Sequence, residues 1–280
     1  MRKYLLGIVF LAGCSQAPLP AQLQASGVTI DNTLRNSDQI VAVGHRGESK
    51  LAPGNTLAAF EIAVKAGAKS IETDVRTTKD GHLILMHDAD VSASTNGKGR
   101  VEDLTLAEIK ALTVRSIPGI QNVPPQKVPT LEEALVAYRG KVLFDLDIKS
   151  AEPAAVVGVL ERANMLNAAY VDVGSPEEAR RYRQANPAVA IQIGDTESVE
   201  QIQEAFRSLG RVEVFELEER SSNLAELIAA IHAGGAEAHI PEKDAGYMFG
   251  WPALVEAGID GIQTDNLQLL VPYLNRVNQN

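Results

Sequence analysis

From Ile40 onward the chain alternates short apolar stretches with longer segments in which apolar residues recur every three or four positions. The first kind has the length and content of buried strands, the second that of amphipathic helices. Residues 40–43 predict a first strand, and Asn55 or Thr56 caps a helix running to about Ala66. Strands follow over 70–75 and 82–86, joined by the turn Lys79-Asp80-Gly81. Residues 92–128 break the rhythm, being polar and Gly- and Pro-containing, with one helix start at Thr105-Leu106-Ala107-Glu108. Alternation resumes at Thr130, where Thr130 and Glu133 have the spacing of a capping box. A strand over 141–148 and a helix near 152–163 come next, then strand–helix pairs beginning near Ala169, Ala188, Arg211, Ala236 and Asp260.

Strands alternating with helices specify a parallel sheet with crossover helices. This many units favour a closed (β/α)8 TIM barrel of the α/β class, with residues 92–128 as a small insertion after the third strand. The pattern offers nine strands for eight staves. The turn at Lys79–Gly81 makes the second and third strands the pair in which a hairpin partner is expected.

The chain has 280 residues, 45% of them hydrophobic, enough to bury a full core. Its formal charge is −10, from 26 basic and 36 acidic residues, which argues against a nucleic-acid partner. The N-terminus carries its own pattern. Arg2 and Lys3 form a basic start, residues 5–11 an apolar run too short to span a bilayer, and Ala12 and Gly13 precede Cys14. This order resembles the bacterial lipoprotein signal. Residues 1–13 are then a signal peptide, and acyl chains on Cys14 hold the protein at a membrane surface of the cell envelope, facing periplasm or exterior. An ordinary secretory peptide is the alternative. Residues 14–38 would be a flexible tether, and 39–280 the barrel. Cys14 is the only cysteine, which excludes an internal disulfide, a thiolate zinc site and a cysteine nucleophile in the folded domain.

The chemistry-bearing residues gather at the ends of the predicted strands: Gly44-His45-Arg46-Gly47, then Glu72-Thr73-Asp74, then His87-Asp88. Side chains at i and i+2 of a strand share a face, so Glu72 points with Asp74, and Asp145 with Asp147 and Lys149. Each pair stands near the C-terminal end of its strand, where barrel active sites form. Converging carboxylates repel one another unless a cation neutralises them. An all-oxygen set suits Mg²⁺ or Ca²⁺, clamping a phosphate oxygen. His45 and His87, brought to one mouth, would supply a base and an acid on either side of a scissile P–O bond. Arg46 and Lys149 would neutralise the phosphate, while Gly44 and Gly47 would let the backbone approach a ligand closely. Asp88 and Asp90 have a plain reading as turn formers, Asp145 as a group supporting the metal ligands from behind or one of the barrel interior, and His82, His232 and His239 as ordinary surface or capped histidines.

Together these motifs resemble the glycerophosphodiester phosphodiesterase family. Its pattern opens with His-Arg-Gly and runs through Asn55-Thr56-Leu57-Ala58-Ala59-Phe60, Glu72-Thr73-Asp74-Val75, the Lys79-Asp80-Gly81 turn and His87-Asp88. It continues with the segment from Pro129 to Glu133, then Asp147-Ile148-Lys149, and closes near Gly258-Ile259-Asp260-Gly261-Ile262-Gln263-Thr264-Asp265. The resemblance spans residues 40–270. It implies a TIM barrel, a divalent metal, and cleavage of a small-molecule glycerophosphodiester to glycerol 3-phosphate and an alcohol. It makes His45 and His87 the acid/base residues, Glu72, Asp74 and Asp147 the metal ligands, and Arg46 and Lys149 the phosphate contacts.

The sequence also departs from that pattern. Pro53-Gly54-Asn55 stands where the family has Pro-Glu-Asn, and Asp147 where it usually has Glu. Ala93-Ser94-Thr95 replaces an Arg-Thr-Thr stretch, and Pro241-Glu242-Lys243-Asp244 a Trp-Thr-x-Asn segment. Two other readings follow. One is a phosphodiesterase of lysophospholipase D or sphingomyelinase D type, which a membrane anchor would suit. The other is a surface lipoprotein that binds a phosphodiester without cleaving it.

Overall fold

The computed structural model describes residues 27–35, 39–218, 223–241 and 250–279. Eight parallel strands close on themselves: β1 (Val41–His45), β2 (Ser70–Thr77), β4 (Leu143–Ser150), β5 (Ala169–Val173), β6 (Ala190–Thr196), β7 (Val214–Leu217), β8 (Glu237–Pro241) and β9 (Gly261–Thr264). Pairing runs in that order around the ring, and β9 meets β1 to shut it. Helices follow each stave: α1 (Leu57–Ala66), α3 (Leu131–Tyr138), α4 (Pro153–Arg162), α5 (Pro176–Ala185), α6 (Val199–Leu209), α7 (Leu224–Ala233), α8 (Trp251–Ala257) and α9 (Leu267–Val277). This is the TIM barrel the alternation predicts.

The ninth strand, β3 (Leu83–Leu85), is the expected hairpin partner. It pairs antiparallel with the far end of β2, Val75 opposite Leu85 and Thr77 opposite Leu83. The neighbour β1 ends at His45, level with Glu72. Beyond that level β2 projects past the rim, and its freed edge takes β3 as partner. Gly81 turns the hairpin with φ 84°, a left-handed conformation glycine adopts without steric cost. β3 then runs back toward the barrel, where the Met86 N–H donates to the carbonyl of Asp74 at 2.9 Å. That return delivers His87 to the mouth.

The segment between β3 and α3 holds α2 (Leu106–Ala111), opened by a capping box of Thr105 and Glu108. Ile84, Met86, Val91, Val101, Ile109 and Val128 form a small core of its own, separate from the barrel's. Thr130 and Glu133 form the capping box anticipated for α3.

One expectation is corrected at the N-terminus. Residues 27–35, read as the end of a flexible tether, pack against the barrel instead. Ile30 and Leu34 are buried, and the Ile30 N–H donates to the carbonyl of Asn167 at 2.8 Å. Two apolar residues four apart bury one face of a single helical turn, which the polar composition of the segment concealed. The signal peptide over 1–13, Cys14 and the tether up to residue 26 lie outside the described residues, as do residues 36–38.

Candidate active site

The described residues of the C-terminal ends of the strands surround one cavity of about 640 Å³, lined among others by His45, Arg46, Glu72, His87, Asp147 and Lys149. Glu72 and Asp74 stand on β2 and Asp147 on β4, in register as neighbours: Glu72 opposite Asp145, Asp74 opposite Asp147. Each of Glu72, Asp74 and Asp147 offers a carboxylate oxygen within 4.8 Å of the others. Glu72 and Asp74 are buried, at 5% and 1% exposure. Burial, reinforced by the charges of Asp74 and Asp147, pushes the Glu72 carboxyl well above its ordinary range. Three buried or half-buried oxygens in mutual repulsion are a donor set that fits a hard divalent cation such as Mg²⁺ or Ca²⁺.

The cationic side chains sit against these carboxylates. The Arg46 backbone N–H donates to Oε2 of Glu72 at 2.9 Å, and its Nε lies 3.0 Å from Oδ2 of Asp74. Arg46 adopts φ 56°, uncommon for a residue with a Cβ, and this turn lets backbone and guanidinium face the two carboxylates together. Lys149 Nζ reaches Asp147, to which it donates, and stands 3.3 Å from Oδ1 of Asp74. Burial acts to lower the Lys149 pKa, but the hydrogen bond to Asp147 and the nearby charges outweigh it and leave the pKa raised.

The histidines are held differently. His45 Nδ1 is 2.7 Å from Oδ1 of Asp265, and its Nε2 lies 3.9 Å from Oε2 of Glu72. Asp265 also accepts from Ser49 Oγ at 2.8 Å. The hydrogen bond from His45 holds the Asp265 carboxyl well below the usual carboxylate range. His87 has a looser neighbour, Asp88, at 3.3 Å. Asp90 is a turn former, its side chain accepting from the Ser92 N–H at 2.8 Å.

All seven residues expected in the site are therefore in one region, and the structure adds others. Asn55 is not the cap of α1; Thr56 is, accepting from the Ala59 N–H. Asn55, at φ 59°, donates from Nδ2 to Oδ2 of Asp74 at 2.7 Å, and its Oδ1 accepts from Thr73 Oγ1 and the Asp74 N–H. The signals for Asn55 are its place in the Asn55–Phe60 motif and the two cap-type residues side by side, since one helix needs one cap. The sequence pattern makes Asp265 the end of a closing strand and gives it no role of its own. Asp145 belongs to the interior below the triad, where Gln192 Nε2 donates to its Oδ2 at 3.3 Å. Gly44 and Gly47 are packed against the protein's own backbone. A Cβ at Gly47 would stand 2.7 Å from the backbone carbon of Ala59, and one at Gly44 would stand 2.9 Å from the Gly47 carbonyl oxygen. The close approach that the structure shows is to the turn and to α1. At Gly54 a Cβ would fall 2.9 Å from Cβ of Arg46, so the missing side chain gives Arg46 its place. Of the segment from Pro241 to Asp244, residues 242–244 lie outside the described residues.

Residues 45–271 match the sequence profile of the glycerophosphoryl diester phosphodiesterase family. A glycerophosphodiester phosphodiesterase of Caldanaerobacter subterraneus subsp. tengcongensis is 44% identical over 111 residues, 39% of this chain and 45% of the relative. The chain thus spans about half the length of the curated relatives it matches. Among solved structures, a glycerophosphoryl diester phosphodiesterase from Parabacteroides distasonis superposes with a TM-score of 0.80 at 21% identity, covering 90% of this chain and 93% of the other. An Oleispira antarctica phosphodiesterase in complex with the product sn-glycerol-3-phosphate superposes at 0.74 and 23% identity, over 86% of this chain and 99% of that one. These two likenesses are likenesses of fold.

Proposed function

The chain belongs to the glycerophosphoryl diester phosphodiesterase family, and from that premise we propose that it hydrolyses glycerophosphodiesters to glycerol 3-phosphate and an alcohol. The observation that carries this reading is the meeting of Glu72, Asp74 and Asp147 with His45 and His87 around one cavity at the barrel's C-terminal face. The sn-glycerol-3-phosphate held by the Oleispira enzyme on the same fold supports the choice of product.

In this reading Glu72, Asp74 and Asp147 hold Mg²⁺ or Ca²⁺, which when bound stabilises negative charge on the phosphate. Arg46 and Lys149, at the edge of the triad, add positive charge for the phosphate oxygens. Water attacks phosphorus as the bond to the alcohol oxygen breaks. One imidazole takes the proton that water loses, and the other protonates the departing alkoxide, so the site ends with its protons exchanged and its charge unchanged. His45 is suited to a directed role because Asp265 fixes its Nδ1 and leaves Nε2 toward Glu72 and the cavity.

The test uses the purified full-length chain on a panel of glycerophosphodiesters, with Mg²⁺ or Ca²⁺ and again with chelator. Metal-dependent release of glycerol 3-phosphate is the expected result. A folded, metal-binding protein that releases none from any diester overturns the proposal.

We infer further that Cys14 is acylated and holds the protein at a membrane surface of the cell envelope, facing periplasm or exterior. The order of Arg2 and Lys3, the apolar run and Ala12-Gly13-Cys14 supports this. No helix among the described residues is long and apolar enough to cross a membrane. Cells fed a labelled fatty acid should label the protein, and Cys14→Ser should abolish the label.

A further inference from the structure

Asp265, the partner of His45, stands between the last stave and the last helix. Its side chain is 36% exposed, so burial does not set its direction. Before it, Thr264 is paired into the sheet against Gly44. After it, Asn266 stands at the cap position of α9 and makes no side-chain bond to the helix it opens. The first N–H groups of α9 therefore need an acceptor from elsewhere.

Glu48 supplies one from across the seam. It is completely buried, and its Oε2 accepts from the N–H of Leu267, the first residue of α9, at 2.9 Å. Burial lifts the Glu48 carboxyl above its ordinary range, and the backbone N–H groups of Leu267 and Gln268 work against that rise. The backbone of Glu48 is tied as firmly. Its N–H donates to the carbonyl of Ala59 in α1 at 3.1 Å, and its own carbonyl accepts from Leu51 and Ala52 at 3.1 and 3.2 Å. The next two residues both reach Asp265: Ser49 Oγ donates to Oδ1 at 2.8 Å, and Lys50 Nζ stands 3.4 Å from Oδ2. Three consecutive residues thus clasp the segment from Asp265 to Leu267, and Glu48 is the buried one. His45 ends β1 just before this turn, so the clasp also sets the distance between His45 and Asp265. Glu48 is not among the residues that line the cavity, which gives its buried carboxylate no direct part in the chemistry.

We propose that Glu48 is a positioning residue: by capping α9 across the seam it holds Asp265 in line with Nδ1 of His45, and so keeps Nε2 of His45 turned to the cavity as the proton-transferring atom. The inference rests on the phosphodiesterase reading above for the task of His45, while the hydrogen bond to Asp265 can be followed without any substrate.

The test uses the full-length chain, saturated with Mg²⁺, as wild type, Glu48→Ala and Glu48→Gln. Glutamine keeps an acceptor for the Leu267 N–H, and thermal melting follows folding in each variant. Nitrogen NMR shifts of the His45 ring, assigned by their loss in His45→Ala, show which ring nitrogen carries the proton. The proton should reside on Nδ1 in the wild type and in Glu48→Gln, and be shared between the two nitrogens in Glu48→Ala. On a diester the wild type cleaves, Glu48→Ala should lower kcat about tenfold with KM changed less than about threefold, and Glu48→Gln should restore most of that loss. In an Asp265→Ala background, Glu48→Ala should cost less than about threefold more, because its effect passes through Asp265. If Glu48→Ala does not fold, Glu48→Asp, one methylene short of Leu267, takes its place with the same expectations. Losses that multiply in the double variant, or a proton that stays wholly on Nδ1 in Glu48→Ala, overturn the proposal. If no diester is cleaved, the phosphodiesterase reading has failed on its own, and the His45 shifts alone decide the role of Glu48.

Discussion

Asp265 holds His45 through Nδ1 at 2.7 Å, across the seam where the last stave closes on the first. The carboxylate is itself fixed by Ser49 at 2.8 Å and by Lys50 at 3.4 Å. A carboxylate in that position keeps the proton of a neutral imidazole on Nδ1 and stabilises the imidazolium when it forms. Asp265→Asn removes the charge and keeps the shape. We expect kcat to fall about 10²-fold with KM changed less than about threefold. A fall in affinity with kcat preserved would mean that Asp265 serves substrate binding instead.

His87 and its neighbour make the contrast. The His87–Asp88 contact is 3.3 Å, between side chains 40% and 50% exposed. An exposed pair of that length orients little. Asp88→Asn should therefore change kcat less than about threefold, while His87→Ala and His45→Ala each cost ~10²–10⁴-fold. Near-full activity in both histidine variants, on a verified substrate, would sink the acid/base assignment.

Asn55 supports the metal triad from behind. It is buried, and its side chain makes three hydrogen bonds, two of them to Asp74. Removing it leaves the Thr73 hydroxyl and the Asp74 N–H without their acceptor. Asn55→Ala should cost ~1–3 kcal/mol of stability and weaken Mg²⁺ or Ca²⁺ binding roughly 10–100-fold, as groups that orient metal ligands do. Asn55→Gly relieves the positive φ and keeps the loss of affinity. Calorimetric titration with the ion, on both variants, separates backbone strain from ligand orientation.

The pattern of apolar residues is enough to place every stave, but several staves run further toward the mouth than it indicates. The first and fourth strands were expected to stop at Val43 and Ile148; they run on to His45 and Ser150. Pattern reading stops where side chains turn polar, and in a barrel that is where the site begins. β5 begins at Ala169 as expected, whereas the four strands after it begin one to three residues late; Val189, Val212 and Ile259 are buried on the approach to the sheet before its first ladder pairs. Glu72 and Asp74 were legible because their spacing is local. Asp172 and Glu216 are single carboxylates on separate strands and Asp265 follows a third, and only closure of the ring brings them to one cavity.

At the opposite end of the barrel, the side chain of Glu213, just before β7, is buried at 3% exposure. Arg35 meets it at 2.7 Å, Arg211 at 2.7 Å and Arg183 at 3.1 Å, and the Ile191 N–H donates to it at 2.7 Å. The Arg35 contact ties the N-terminal turn to the barrel. Glu213→Gln leaves Arg183 and Arg211 without their counter-charge and Arg35 with Asp31 alone, and should lower stability by ~3 kcal/mol. The variant's kcat under conditions where it is folded should match the wild type, since the site lies at the other face. Denaturant unfolding and steady-state kinetics on the same preparation check both halves.

The carboxylates of the site give stability a definite dependence on pH. Glu72 is pushed above its ordinary value of 4.5 first by burial and then by Asp74 and Asp147. Asp145 and Asp172 are raised from 3.8, again chiefly by burial. A raised carboxyl means that the native state binds more protons than the unfolded chain above those values, so stability falls as pH climbs through the window. Asp265 has the opposite sign: its contribution is present above 3.8 and is lost only as pH drops below that value. A divalent ion on Glu72, Asp74 and Asp147 competes with the proton on Glu72. Melting in chelator should therefore show Tm falling from pH 5 to pH 8, and saturating Mg²⁺ or Ca²⁺ should raise Tm more at pH 8 than at pH 5. Glu72→Gln should shrink both the pH slope and the response to the ion. An ion effect of equal size at the two pH values would mean that the cation binds somewhere other than this triad.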